Sequence, residues 1–405
     1  MTRTLAVRLD NDGDVLLAGP ALRALAASAD HLDLLVSPAG RGAARLLPGV
    51  DGVLVADVPW SGYVPPPADP ARLQALIALL AERRYDRCVV LTSFHQSPLP
   101  MALIARMAGV PYVAATSVDY PGSLLDVRHR RPEGLHEVEA ALDLVRATGA
   151  ELPAGDDGRL ALRRPFPPAP ALVPDRPYVV VHPGASVPAR AMSAGHARAV
   201  VAALRADGWP VVVTGGPAER ELAAVVAGPT DAGPTDADPT SIGTTEADPT
   251  SIGTTDAGPT SMGPTGAGPT GGRRGRVVDL AGRTDLAELA AVLDGAACVV
   301  VGNTGPAHLA AAVGTPVVSL FSPVVPAERW APYGVPSVVL GDQHAPCRDT
   351  RARECPVPGH PCLAGVAPAD VVRAVRALVA APPPDGAPAS SRSASRPGTP
   401  AEVGA

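Results

Sequence analysis

Residues 297–321, ACVVVGNTGPAHLAAAVGTPVVSLF, constrain the fold of this chain more than any other stretch. Two short valine-rich runs flank an alanine-rich run, and Gly, Asn and Pro mark the turn between the first two. This order predicts a buried strand, a sharp turn, a helix and a second buried strand. Apolar strands joined by a helix are typical of a parallel sheet that helices cover on both faces.

The turn at 302–306 leads directly into the predicted helix. The first backbone N–H groups of a helix lack partners, and the helix dipole favours negative charge there, so this helix start is a candidate anion site. His308 lies one turn into the helix and can lean back toward the same end. A partly buried structural histidine is the alternative, but the position favours contact with a ligand, and the arrangement suits a diphosphate.

Strand and helix patterns alternate in two separate halves of the chain, which predicts the α/β class with two doubly wound parallel sheets. Strands are predicted at 3–9, 32–36, 52–56, 87–92 and 111–115, and then at 178–182, 209–214, 276–280, 297–301 and 315–320. Helices are predicted at 18–27, 40–47, 71–84, 98–108 and 133–148, and then at 194–206, 217–226, 285–294, 305–313 and 367–380.

The proline-rich run 165–177 is predicted to link an N-terminal domain at 1–165 to a C-terminal domain at 166–380. A stretch at 227–272 interrupts the second half with a Pro-, Gly- and Thr-rich repeat of period ten. Such a sequence cannot bury enough apolar surface to offset its ordering entropy. We therefore expect a disordered insertion there and a disordered tail at 381–405.

Composition excludes several classes of function. All 34 basic residues are arginine, which excludes Schiff-base catalysis and a P-loop lysine. The six acids of the insertion account for the whole net charge of −6, so the rest of the chain has a net charge of zero. It lacks the excess of basic residues that is typical of nucleic-acid binding. No stretch approaches the ~20 apolar residues of a membrane span, and no signal pattern is present, which predicts a cytoplasmic protein.

A carboxylate-rich loop, DNDGD at residues 10–14, follows the first predicted strand. Ligands bind doubly wound sheets at the carboxyl ends of their strands, so this loop is a candidate site. Asp14 lies where a helix begins, and the helix dipole would keep it ionised at neutral pH. It either caps that helix or faces a cleft and accepts a proton as a general base.

The loops of the second half offer groups for a ligand. The strand at 178–182 ends in HPGAS, which contains Gly184 and Ser186, and Arg190 follows. Gly184 permits close approach to the backbone, and Arg190 either pairs a phosphate or is simply solvated. Glu219 begins the helix after the next strand, where a carboxylate either holds ribose hydroxyls or caps the helix.

Three cysteines, Cys347, Cys355 and Cys362, fall in one loop together with His360. Four such ligands can form a tetrahedral metal site. The spacing contains no C-x₂-C pair, however, so we expect the thiols to pack within the loop and bind no metal.

Taken in order, these motifs resemble glycosyltransferase family 9, which includes the bacterial ADP-heptose:lipopolysaccharide heptosyltransferases. The resemblance rests on Gly13-Asp14 followed by Pro20-Ala21-Leu22, on HPGAS with Arg190, on VVVTGGPAERE, and on the stretch from LAGRTDL to VVSLF. It extends over roughly residues 3–376, apart from the insertion and the middle segment.

This resemblance implies a GT-B fold, in which two Rossmann-like domains face each other across a cleft. It also implies an inverting, metal-independent transfer of a sugar, a heptose in the family, from an ADP-sugar to a saccharide or glycolipid hydroxyl during lipopolysaccharide core biosynthesis. The implied partners are this donor and acceptor, without a cofactor, a metal or nucleic acid. Peripheral association with the inner face of the membrane stays open.

The family pattern also implies roles for single residues. Asp14 matches the proposed catalytic base. The match assigns donor binding to Ser186, Arg190, Glu219, Thr284, Asn303, Thr304, Gly305 and His308. The chain departs from the pattern at Asn303, where Asp is usual, at Arg190, where Lys is usual, and at Met192, where Trp is usual.

Two other functions compete with this interpretation. A non-catalytic protein on the same scaffold would bind a nucleotide sugar through residues 303–308 and transfer nothing. A dinucleotide-dependent oxidoreductase is disfavoured because no G-x-G-x-x-G follows the first strand.

Overall fold

A computed structural model describes residues 1–175, 177–228 and 275–381 of the chain. It contains two parallel sheets of six strands each, which confirms the predicted α/β class and its two doubly wound sheets. Apart from their first residues, the predicted insertion at 227–272 and tail at 381–405 lie outside the described residues.

The first sheet and its helices occupy the N-terminal part of the chain. Their bounds are β1 (Arg3–Arg8), α1 (Asp12–Leu17), α2 (Gly19–Ala27), β2 (His31–Val36), α3 (Arg41–Leu46), β3 (Gly52–Val55), α4 (Pro70–Arg83), β4 (Arg87–Val90), α5 (Leu99–Met107), β5 (Tyr112–Thr116), β6 (Val127–His129) and α6 (Glu137–Arg146).

The second sheet follows after a stretch with no regular helix or strand between described residues 147 and 178. The bounds here are β7 (Val179–His182), α7 (Ala194–Ala206), β8 (Val211–Val213), α8 (Arg220–Ala227), β9 (Val277–Asp279), α9 (Leu286–Asp294), β10 (Cys298–Gly302), α10 (Gly305–Val313), β11 (Val317–Leu320), α11 (Ala327–Trp330), β12 (Ser337–Leu340), α12 (Pro361–Ala364) and α13 (Pro368–Ala380).

Strand order places the candidate loops at one point of each sheet. The orders are β3-β2-β1-β4-β5-β6 and β12-β11-β10-β7-β8-β9. The order in which successive strands are added to the sheet reverses between β1 and β4 in the first sheet and between β7 and β10 in the second, while all strands stay parallel. Ligands of open α/β sheets bind at the carboxyl ends of strands at such switch points. The loops after these four strands therefore form the expected site.

An apolar layer joins the two sheets. A single cluster of buried side chains includes Leu34 and Val89 from the first sheet, Val180 and Val299 from the second, and helix residues such as Leu289 between them. Separate clusters cover the outer face of each sheet. Because the inner cluster takes side chains from both halves, the halves pack against each other through this apolar layer.

The structure contains short elements that the sequence did not predict. A separate helix, α1, precedes the helix predicted at 18–27, and Asn11 caps it by accepting from the backbone N–H groups of Gly13 and Asp14. The predicted helix itself is α2, which starts at Gly19 with Pro20 in its first turn. Two edge strands were not predicted: β6 is three residues long, and β12 alternates exposed with half-buried residues.

Candidate functional site

The start of α10 is the predicted anion site, and the structure leaves it without a side-chain cap. Thr304 occupies the cap position, but its side chain makes no capping hydrogen bond. Thr304, Gly305 and Pro306 are each half-buried, so the first turn of the helix is not sealed by the protein. Pro306 has no N–H, and the N–H of Ala307 donates to the carbonyl of Thr304. The N–H of Gly305 and the dipole of this nine-residue helix therefore meet at an accessible point.

The start of α1 lies directly against the start of α10. A side chain at Gly13 would come within 3.0 Å of Gly305 Cα and within 3.3 Å of the His308 ring. Only glycine permits backbones to approach this closely. The two loops that the sequence singled out in separate halves thus meet at one place.

Asp14 follows Gly13 on α1, and its side chain is 20% exposed. Asp14 Oδ1 accepts a hydrogen bond from Arg8 Nη2 at 3.1 Å. It does not cap α1, since Asn11 takes that position, so the capping interpretation of Asp14 was wrong. Burial raises the pKa of Asp14 above the ordinary aspartate value, although Arg8 and Arg190 oppose the rise. The sequence suggested that the helix dipole determines the charge of Asp14. In the structure, burial and the neighbouring charged side chains also shift its pKa.

Arg8 ends the central strand β1 and is 3% exposed. Its guanidinium lies 2.8 Å from Asp10 Oδ2, 3.1 Å from Asp14 Oδ1 and 3.8 Å from Glu137 Oε2, and it donates to Ser93 Oγ at 2.8 Å. Sequence analysis missed Arg8 and Glu137. An arginine at the end of an apolar strand was a usable signal, whereas nothing local marks Glu137.

Arg190 approaches the same place from the second half. It ends a short 3₁₀ helix, Pro188–Arg190, after β7 and is half-buried. Its Nε is buried and has no hydrogen-bond partner among the described residues. Burial lowers the pKa of Arg190, while the charge of Asp14 raises it, which places the two side chains within electrostatic reach.

His308 is 6% exposed, and its Nδ1 has no hydrogen-bond partner within the described ranges. Burial, assisted by His136 and Arg190, lowers the pKa of His308 to about 3. The ring is therefore neutral at pH 7 and offers one N–H donor or one acceptor, not a positive charge. Buried polar atoms normally have partners, so Arg190 Nε and His308 Nδ1 are two groups that a ligand would satisfy.

Asn303, which the family pattern assigns to donor binding, is bonded to the neighbouring strand end in this structure. Its side chain is 5% exposed, donates to the carbonyl of Ser322 and accepts from the N–H of Ser322, both at 3.2 Å. Both halves of the amide are therefore used to tie the end of β10 to the end of β11. It does not cap α10, where Thr304 holds the cap position.

The remaining candidates surround the ends of β7 and β8. Glu219 Oε2 accepts from the N–H of Gly216 at 2.7 Å and lies 3.7 Å from His182 Nε2. A side chain at Gly184 would collide with Glu219, so this carboxylate lies over the HPGAS loop. Ser186 is exposed, and Thr284 is half-buried immediately before the cap of α9. Glu219 thus closes the short 3₁₀ helix Pro217–Glu219 without capping α8 by its side chain, and it borders the strand ends.

A second group of side chains extends the site toward α11. The Arg329 and Arg351 guanidiniums lie 4.6 Å and 5.8 Å from the centre of the Phe94 ring, and Trp330 lies 5.7 Å from it. Burial, followed by the charge of Arg351, lowers the pKa of the neighbouring His95 to about 4. Phe94 belongs to the loop after β4, so this group bridges the two halves. Sequence analysis did not find it, because its members are far apart in the chain.

The cysteine loop packs as the spacing indicated. Cys347 and Cys362 are buried in the outer core of the second sheet, and Cys355 packs against it. All three are free thiols. Within the described ranges no group of three or more His, Cys, Asp or Glu side chains is arranged to hold a metal ion, and no helix is long and apolar enough to cross a membrane.

A cavity of about 300 Å³ lies apart from these residues, between α4 and the loop after β3. It is lined by side chains such as Val58, Leu73 and Leu76, and it contains none of the candidate site residues. Charge and orphaned polar atoms instead mark the strand ends as the candidate site.

Similar folds are known among solved structures. The E. coli ADP-heptose LPS heptosyltransferase II is 19% identical with a TM-score of 0.62, over 94% of this chain and 98% of that chain. A glycosyltransferase family 9 protein from Veillonella parvula is 15% identical with a TM-score of 0.64, over 93% and 97%. E. coli heptosyltransferase WaaC, solved with ADP-2-deoxy-2-fluoro heptose, is 19% identical with a TM-score of 0.59, over 93% and 99%.

These identities are low, so the likeness establishes the GT-B fold of two facing Rossmann-like domains. A comparison with curated protein sequences gave no match. The family model for glycosyltransferase family 9 (heptosyltransferase) matches residues 73–232 and 270–360, which is more than half of the chain. The chain therefore belongs to glycosyltransferase family 9, the heptosyltransferase family, and is a glycosyltransferase.

Proposed function

We propose that this protein transfers a heptose from an ADP-sugar to a hydroxyl of a saccharide or glycolipid, with inversion at the anomeric carbon and without a metal ion. One observation carries the proposal: a partly exposed carboxylate, Asp14, lies beside the uncapped start of α10. A base and an anion site are thereby placed together, as a direct displacement requires. The ADP-sugar analogue in the WaaC structure supports this class of donor.

Asp14 is assigned the role of general base. It accepts the proton of the acceptor hydroxyl while the oxygen attacks the anomeric carbon on the face opposite the leaving diphosphate. A carboxylate whose pKa is raised by burial is a stronger base than an ordinary one. Arg8 holds one carboxylate oxygen, and no described residue donates a hydrogen bond to Oδ2.

The second half is assigned the leaving group. As the bond to the sugar breaks, negative charge grows on the β-phosphate of ADP. The N–H of Gly305 at the start of α10, the guanidinium of Arg190 and an N–H of neutral His308 can each donate toward that charge. These donors supply the stabilisation that a divalent cation gives in other transferases, so the proposed reaction needs no metal.

The nucleoside is assigned to the ends of β8 and β9. Glu219 and Thr284 border this region, and Glu219 has one carboxylate oxygen, Oε1, that its capping bond does not use. A carboxylate at this position of a doubly wound sheet suits ribose hydroxyls. Asn303 is assigned a supporting role, since both polar atoms of its amide bond the backbone of Ser322.

Replacing Asp14 with Asn tests the proposal. The variant keeps the size of the side chain and removes the base, so kcat should fall by ~10²–10⁴-fold while ADP still binds. Product formation from a panel of ADP-sugars and saccharide acceptors measures the first, and calorimetric titration with ADP measures the second.

Asp12→Asn is the matched control. Asp12 lies on the same helix but accepts from the backbone N–H of Ala43 at 2.7 Å, a bond that asparagine can keep. Turnover should stay near that of the wild type. Near-normal transfer by Asp14→Asn, with ADP bound, would refute the assignment of Asp14.

A further inference from the structure

Arg8 is held by more groups than any other side chain of the site. It lies at the switch point of the first sheet, and carboxylates reach it from three directions: Asp10 from the loop after β1, Asp14 from α1 and Glu137 from the start of α6. Ser93 adds a fourth contact from the loop after β4. A buried guanidinium with these partners has a fixed plane, so it can orient whichever carboxylate it contacts.

Glu137 has a second partner besides Arg8. Its Oε1 accepts from Arg131 Nη2 at 2.8 Å. Three carboxylates therefore share the guanidiniums of Arg8 and Arg131, while the charge of Arg190 acts on Asp14 from the second half. Glu137 is the most enclosed of the three carboxylates, with a side chain 3% exposed, whereas that of Asp14 is 20% exposed. Asp14 is therefore the carboxylate of this cluster that is most open to the cleft.

We propose that Arg8 and Glu137 are positioning residues for the transfer. Arg8 holds Oδ1 of Asp14 so that Oδ2 stays available to the acceptor hydroxyl. Glu137 partly offsets the positive charge of Arg8, which keeps Asp14 basic. This inference rests on the proposed role of Asp14 as the base, and neither residue touches the substrate.

The need for Glu137 follows from elementary electrostatics. An aspartate beside an arginine alone has its pKa lowered by about 1–3 units, which weakens it as a base. A third carboxylate on the same guanidinium opposes that effect, and Glu137 does raise the pKa of Asp14, after burial and against Arg8. General-base catalysis is most efficient when the pKa of the base lies near the working pH.

Other charged groups also face this cluster and must be held constant in any test. They come from every element packed around it: Asp10 and Arg8 from β1 and its loop, Glu137 and His136 from the start of α6, Arg131 before it, His95 after β4, and Arg190 and His308 from the second half.

The test is a direct titration of Asp14 in the full-length protein. Carboxyl carbons of aspartate are labelled with ¹³C and followed by NMR between pH 3 and 9, and the Asp14 signal is assigned by its loss in Asp14→Asn. In Glu137→Gln the pKa of Asp14 should fall by about one unit, and in Arg8→Gln it should rise by about one unit or more. Asp143→Asn, on the same helix but paired with His129, should leave it unchanged.

Arg8→Lys separates orientation from charge. It keeps the positive charge but loses the planar fork, so the pKa of Asp14 should stay within about half a unit of the wild type while kcat falls about 10–100-fold. The KM for the donor should not change. For Glu137→Gln the acid limb of kcat/KM should move to lower pH together with the NMR titration.

Each failure has its own signature. A Glu137→Gln protein that folds, judged by circular dichroism, and leaves the pKa of Asp14 unmoved overturns this inference. If Glu137→Gln does not fold, Arg131→Gln replaces it: Glu137 then keeps its charge without a second partner, and the pKa of Asp14 should rise. No rise would equally overturn the inference. Normal turnover in Asp14→Asn would instead contradict the proposed role of Asp14 as the base, whatever the titrations show.

Discussion

Two helix starts meet at the cleft, and they differ in how far the protein satisfies them. At α1 the side chain of Asn11 accepts from two backbone N–H groups, and the nearby carboxylates are paired with Arg8. At α10 the cap residue Thr304 makes no side-chain bond, and the buried Nε of Arg190 and Nδ1 of His308 have no partner in the described part of the chain.

This difference separates residues that stabilise the free protein from residues that it keeps for a ligand. Groups that are hydrogen-bonded within the chain contribute to the free energy of unfolding. Removing one partner leaves the other buried polar atom without a hydrogen bond, which is unfavourable. Groups left unpaired contribute nothing to folding and can destabilise it. Apart from Asp14 and Arg8, whose proposed roles concern the transfer, substitutions on the α1 side should therefore lower stability, whereas substitutions on the α10 side should lower activity.

Among the tests of this comparison, Arg190→Ala has the largest expected effect. Loss of one preorganised donor to a developing charge costs on the order of 10²–10³-fold in rate, so kcat/KM should fall by that factor. The melting temperature should stay the same or rise, since the buried Nε has no partner to lose. Steady-state kinetics and differential scanning calorimetry measure the two quantities.

Arg198→Ala is the control for this experiment, because Arg198 is an exposed arginine on the neighbouring helix α7. It should change neither quantity. A clear loss of stability in Arg190→Ala would show that the arginine holds the fold, and the comparison between the two helix starts would fail.

The contact between the two helix starts is tested by an asymmetric pair of alanine substitutions. A methyl group on Gly13 would lie 3.0 Å from Gly305 Cα, whereas one on Gly305 would lie 3.6 Å or more from Gly13. Overpacking costs about 1–3 kcal/mol, so Gly13→Ala should be destabilised by that amount. Gly305→Ala should change the free energy of unfolding by about 0.5 kcal/mol or less. Urea denaturation of both variants measures the difference, and equal losses would contradict this packing.

The fold was largely predictable because its signals are local. The unit from β10 to β11 was found nearly to the residue, since valine runs and the turn at 302–306 punctuate it. The edge strands β6 and β12 were missed because short, half-exposed strands resemble loops. Helix α1 was missed for another reason: its six residues, DGDVLL, are too few to show a helical period.

Candidate site residues could be named from the sequence only where they follow strand ends. Asp14, Arg190 and His308 were proposed in this way and stay predictions as functional residues, while the fold brings them together. Glu137 and Phe94 join the site through pairings that depend on tertiary packing, so no spacing in the sequence indicates them. The neutral state of His308 was also beyond reach, because it depends on burial by residues of both halves.

The burial of neutral His308 predicts a stability that depends on pH. The pKa of histidine is about 6.5 in the unfolded chain and about 3 here, so the unfolded state binds the proton more tightly. Stability is then lost as pH falls below about 6.5, at about 1.4 kcal/mol per pH unit until the folded pKa is reached. His308→Gln should lose less, and by pH 5 the gap between the two proteins should reach about 2 kcal/mol. Urea denaturation at pH 7, 6 and 5 measures it, and parallel curves would show that His308 titrates normally.

The smallest effect compares the two caps themselves. Asn11 bonds the N–H groups of Gly13 and Asp14, so Asn11→Ala should lower the free energy of unfolding by about 1 kcal/mol, and Asn11→Asp should restore it. Thr304→Ala removes no capping bond and should cost only a few tenths of a kcal/mol. Urea denaturation of the three variants measures these differences. A capped helix start has its N–H donors occupied, whereas an uncapped one does not. Equal losses of stability in Asn11→Ala and Thr304→Ala would therefore mean that the side chain of Thr304 caps α10. The start of α10 would then be unsuited to a diphosphate.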